Sequence, residues 1–85
     1  MTPAQALRDI RGYAAAGRVT IRVHARRRMK ERNVSEADVI HALVNAGSCV
    51  PEPEERWCVA SADLEGEALT LIVVIEDGDV VVTLY

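Results

Sequence analysis

At 85 residues, 49% apolar and 27% charged, the chain is long enough for one domain with a modest core and too apolar for the disordered class. Its only aromatics are Tyr13, Trp57 and Tyr85, which argues against a base-stacking platform, and its apolar runs are strand-length rather than membrane spans. The net charge of −3 hides a split: residues 1–32 hold nine Arg/Lys against Asp9 and Glu31, whereas residues 33–85 hold Arg56 alone against eleven acids. Such polarity points to two faces with different partners, or to a basic face masked by an acidic one.

The first element is a helix over residues 1–17. Thr2 reads as its N-cap and Pro3 as its first helical position, with Ala6, Leu7, Ile10, Tyr13 and Ala14 at helical spacing and Gly17 as the stop. Val19–Val23 alternates like a half-buried strand or an extended lead-in. The next stretch, His24–Arg32, holds one histidine and five cations and reads as a helix closed by a left-handed Asn33. A further helix starts at Ser35, where Ser35-Glu-Ala-Asp38 resembles a capping box between Val34 and Val39. Ala37, Ile40, Leu43 and Val44 are its expected buried stripe, and Gly47 ends it.

From there the period changes to two. Ser48–Val50 is an expected edge strand stopping at Pro51, followed by an acidic turn over residues 51–55 and a strand over Trp57–Ala62. Ala68–Ile75 is nearly all apolar and reads as a central strand covered on both faces. Glu76-Asp-Gly-Asp79 carries a hairpin signal, and residues 80–85 return as the last strand. The expectation is an α+β fold, with helices packed on a four-stranded antiparallel meander. It is one domain over residues 1–85, with no linker or repeat.

The chemistry concentrates around the basic stretch. Four-residue spacing places His24, Arg28 and Arg32 on one slowly drifting face, with Arg27 beside it and Ala25 and Met29 as apolar anchors. A helix amino terminus favours an anion and disfavours an imidazolium, so a neutral His24 ring could act as a base there. Attack by a ribose 2′-hydroxyl on its phosphate needs such a base and a charge-stabilising cation, which Arg28 or Arg32 could supply. The competing reading is a junction histidine that bonds the backbone. Arg22, Arg26, Arg27 and Lys30 are candidates for phosphate contacts or long-range attraction. Thr83 and Tyr85 share a face of the last strand, where they could orient a phosphate or donate a proton, or simply bridge core and water. His41 reads as a partly exposed helix residue.

His24, His41, Cys49 and Cys58 match no close metal-ligand spacing, and no glycine-rich phosphate loop is present, so neither metal nor cofactor is expected. The amino terminus shows no apolar core or cleavage site of a signal peptide. The expectation is a cytoplasmic protein with two reduced thiols, in neighbouring strands if the topology brings them together.

The run from Ile21 to Ala46 resembles the Domain of Unknown Function 4258 family of small bacterial proteins. The matching residues are His24-Ala25, Arg28-Met29, Arg32 and Ser35-Glu-Ala-Asp-Val39, and the closing Thr83-Leu-Tyr85 is similar to the family's Thr-x-Tyr ending. The resemblance covers residues 19–85. Members of that family look like RelE/ParE-type and BrnT-type toxins. This implies a RelE-like scaffold, metal-independent RNA cleavage with His24, Arg28, Arg32 and Thr83 as site candidates, and an antitoxin covering the basic helix. The alternative is a non-catalytic module that uses the same helix for nucleic acid or an acidic protein. A third possibility is a domain that self-associates through its central-strand edges or a helix face, with no ligand.

Overall fold

Thr2 opens α1 (Pro3–Ala15) with a full capping box: its hydroxyl accepts from the Gln5 N–H at 3.2 Å, while its own N–H donates to the Gln5 side chain at 2.8 Å. A computed structural model describes residues 1–84. Gly17, at φ +77°, turns the chain after the helix into β1 (Val19–Ile21). Then follow α2 (Val23–Glu31), α3 (Glu36–Val44), β2 (Ser48–Glu52), β3 (Arg56–Ala62), β4 (Ala68–Glu76) and β5 (Asp79–Leu84).

The sheet has five strands in the order β1-β5-β4-β3-β2, and it is mixed rather than wholly antiparallel. Of the two readings of residues 19–23, strand or extended lead-in, the strand holds over Val19–Ile21, as a fifth strand at the sheet edge that pairs parallel to β5 with Thr20 opposite Val81. It ends early because Arg22, its N–H bonded to the Val82 carbonyl, is already the extended N-cap of α2, and Val23 becomes the first helical residue. β2 continues through Pro51 to Glu52. As an edge strand it tolerates a residue without an N–H, and the acidic turn is correspondingly shorter.

All three helices pack on one face of the sheet: α1 on β2, β4 and β5, α2 on β5, and α3 on β3. Beneath them Ile21, Val80, Val82, Leu69, Leu71, Val73, Trp57 and Val59 form the sheet side of the core, against Ala6, Ile10 and Ala14 of α1, Ala25 and Met29 of α2, and Leu43 of α3. Burying a residue such as Ile10 or Leu71 completely contributes roughly 1.5–3 kcal/mol. The Arg11 Nε donates to the Val44 carbonyl at 3.3 Å and ties α1 to α3.

Two details of burial differ from expectation. The buried stripe of α3 is Val39, Ala42 and Leu43, turned from the expected one, with Ala37 exposed and Ile40 and Val44 at its margin. β4 is covered on one side only: Leu69, Leu71 and Val73 are buried, while Thr70 is exposed and Ile72 and Val74 are half-buried. Its apolar run from Leu71 to Ile75 reflects a second face that is apolar at its centre yet bears no helix.

Candidate functional site

α2 is an unusual helix on local grounds. Its N-cap is Arg22, which makes no side-chain cap, and its first turn contains no acid. Ala25 and Met29, four residues apart, are its only buried residues and fix its orientation on the sheet. At 3.6 residues per turn this leaves His24, Arg27, Arg28 and Glu31 along one outward flank, with Arg26 and Lys30 on the other. All six are exposed. Among the described residues, the side chains of His24 and Arg28 have no hydrogen-bond or ion-pair partner.

The remaining site candidates fall in different places. Arg26 pairs with Glu36 at 3.4 Å, joining α2 to the start of α3. Arg22 reaches Glu76 at 4.0 Å, both side chains half-exposed, so this pair contributes little. Arg32 is the C-cap of α2 and departs from the His24 flank. It borders a depression of about 350 Å³ that also involves Asp38, Asp63, Glu65 and Glu67. Thr83 stands on β5, where the pairing of Val73 with Val82 and of Ile72 with Leu84 leaves it as the extra residue of a β-bulge. Its hydroxyl donates to the Ile72 carbonyl at 3.1 Å, which occupies the proton a ligand could use. Tyr85 lies outside the described residues.

Asp38, which the sequence offers only as a short substitute in a capping box, is the best-connected carboxylate in this region. One of its oxygens accepts from the Ser35 N–H at 3.0 Å and from the Ser35 hydroxyl at 2.9 Å, and the other accepts from the Leu64 N–H at 3.1 Å. The Ser35 N–H, then the Leu64 N–H, then the Ser35 hydroxyl hold its carboxyl below the ordinary value. The box is complete, since the Asp38 N–H returns a bond to the Ser35 hydroxyl. The bond to Leu64, far along the chain, has no signal in the sequence.

Cys49 and Cys58 lie in neighbouring strands but cannot pair. Cys49 is opposite Val59 and Val50 is opposite Cys58, so the two thiols point to opposite faces. Cys49 faces the core, where burial pushes its thiol up and its S–H donates to the Pro3 carbonyl at 3.3 Å. Among the described residues, no group of His, Cys, Asp and Glu side chains is placed to share a metal ion. No helix of the described residues is long and apolar enough to cross a membrane.

No curated protein and no solved structure matches the chain. A family model described as a domain of unknown function, DUF4258, matches residues 21–85, which takes in α2, α3 and β2 to β5 but only the last residue of β1. The chain therefore belongs to the DUF4258 family.

Proposed function

We propose that the protein is a toxin-type, metal-independent endoribonuclease of the RelE/ParE/BrnT-like kind, acting in the cytoplasm on RNA held against α2 and restrained by an antitoxin-like partner. The observation that carries this reading is the outward flank on which an unpartnered His24 stands beside Arg27 and Arg28. Helices packed on one face of a small sheet are also what a RelE-like scaffold requires. The guanidinium groups attract and orient phosphate. The His24 imidazole takes the proton of a ribose 2′-hydroxyl as that oxygen bonds to phosphorus, and Arg28 stabilises the added charge. The bond from phosphorus to the 5′-oxygen breaks, a 2′,3′-cyclic phosphate remains, and the leaving oxygen takes a proton from Tyr85 or from water.

A second reading is favoured by two observations. No hydrogen bond orients the His24 ring, and the Thr83 hydroxyl is committed to the Ile72 carbonyl. Both suit a basic helix that binds RNA without cutting it. One experiment separates the readings: a labelled RNA pool incubated with the protein in EDTA, beside His24→Ala and Arg28→Ala. The nuclease reading expects cleavage that His24→Ala abolishes while RNA retention persists. Absence of cleavage, with equal salt-sensitive retention by wild type and His24→Ala, refutes the nuclease and leaves the binding helix. In either case Arg28→Ala lowers the salt slope of retention by about one.

A further inference from the structure

Trp57, the chain's single tryptophan, is 8% exposed and belongs to the core beneath the helices, yet its indole N–H makes no hydrogen bond among the described residues. A buried indole N–H ordinarily finds an acceptor. No side-chain nitrogen or oxygen of the described residues is both sealed from solvent and unpartnered. The small part of Trp57 that stays open therefore includes Nε1. Trp57 opens onto a cleft of about 330 Å³ at the end of the sheet that carries the β2–β3 turn.

The strand register builds this cleft. Trp57 stands between Pro51 on β2 and Val73 on β4. Ile75 lies two residues beyond Val73, on the same face of β4, and is half-buried. α1 begins only at Pro3, and Met1 joins Pro51, Trp57 and Ile75 as the apolar part of the lining. The rest of the lining is charged: Glu52, Glu55 and Arg56. The Arg56 Nε donates to the Pro53 carbonyl at 3.0 Å, which folds that guanidinium back on its own turn. Neither carboxylate has a partner among the described residues. Glu55 is held at the cleft by a left-handed backbone, φ 59°, directly after Glu54 at φ 66°, a conformation that residues with a Cβ rarely adopt twice in succession.

We propose that this cleft binds a small organic cation, a primary ammonium compound with an apolar body and one hydrogen-bond-accepting oxygen. The body lies against Trp57 and Ile75, the oxygen accepts from Trp57 Nε1, and the ammonium is drawn to Glu52 and Glu55. A ligand bearing a carboxylate would meet two carboxylates and one guanidinium already engaged, which is why a cation is the occupant that fits. At roughly 30 Å³ for each water-sized group, the cleft takes a ligand of about ten non-hydrogen atoms. A ligand of that size in an open cleft binds with a dissociation constant on the order of 1 mM. The site is separate from the basic helix, since α2 packs on β5 whereas the cleft is bounded by β2, β3 and the end of β4.

Trp57 reports on its own site, because the full chain gives one indole N–H resonance. The probe is L-leucinamide, which carries an ammonium, an accepting carbonyl and an isobutyl body. It is titrated into the ¹⁵N-labelled protein to about 20 mM, at about pH 6.5, where its amine is charged. The expected result is a saturable downfield shift of that resonance. N-acetyl-leucinamide, which keeps the body and the carbonyl but loses the charge, binds about tenfold more weakly. Combining Glu52→Gln with Glu55→Gln, both exposed positions, removes this preference. An indole resonance that stays still or moves without saturating, equal binding of the two amides, or a preference that survives in the double variant each overturns the proposal. A resonance that responds to sodium acetate and not to leucinamide also overturns it, and gives the cleft to anions held by Arg56.

Discussion

α2 and α3 are both nine-residue helices, joined by a short turn and packed on the same side of the sheet, yet they are built on opposite terms. α3 begins with a reciprocal cap, two acids in its first turn and three buried apolar residues, and has a positive mean hydropathy. Its ends and its burial agree. α2 begins without a side-chain cap or an acid, buries only Ala25 and Met29, and carries cations on both of its exposed flanks. Nothing in local helix energetics favours three arginines and a lysine within one nine-residue helix, where like charges three and four residues apart repel. The pairing of Arg26 with Glu36 shows α3 lending α2 some of the acid it lacks. The difference teaches that α3 is specified by its own folding energetics, whereas those of α2 leave its charge unexplained, and the RNA contact proposed above would account for it.

That contrast can be broken in a graded way. Leu43→Ala removes a fully buried side chain from α3 and is expected to destabilise the fold by about 2–5 kcal/mol. Urea unfolding measures it, and Arg27→Ala on α2 should shift the midpoint hardly at all. Ser35→Ala opens the cap of α3 and should cost about 1 kcal/mol by the same assay. Giving α2 the cap it lacks works in the opposite direction: Arg22→Ser should stabilise by about 0.5 kcal/mol while reducing RNA retention, a stability gain bought with binding.

The last prediction concerns the pH dependence that Asp38 contributes. Its folded-state pKa lies below the unfolded value, so its stabilisation is present above the unfolded carboxylate value and is lost as pH falls through the folded one. Asp38→Asn should flatten that acid limb of the stability profile. A limb of unchanged slope in the variant would assign the acid sensitivity to other carboxylates.

Much of this architecture is legible in the chain. Thr2 with Pro3, Ser35 with Asp38 and the Asp77-Gly78 turn mark element boundaries by chemistry that acts over three or four residues, and each stands where those residues place it. Asn33 adopts the left-handed conformation expected of it, at φ 58°. The misreadings arise where the deciding contact is distant. β1 is three residues long and becomes a strand only because β5 offers it a partner. The run over β4 looks like a strand buried twice, because a sequence cannot say whether an apolar face is covered by a helix or left open. The grouping of His24 with Arg28 follows from helical spacing, whereas the departure of Arg32 depends on where α2 ends. The commitment of the Thr83 hydroxyl depends on a bulge in a strand pairing that local spacing cannot encode.

The position of β5 has a consequence for how the protein is made. β5 lies between β1 and β4, and the Thr20 hydroxyl that closes onto Asp79 at 2.6 Å is 59 residues from it in the chain. On a ribosome adding roughly 5–20 residues per second, β1 waits about 3–12 s for its neighbour to be synthesised. Late in that interval the basic stretch that follows β1 leaves the tunnel, while the strand against which its helix packs is not yet there to receive it. The nascent chain thus shows its cations before it has a surface to hold them, and a partner that captured them at that stage would meet an extended segment rather than a helix.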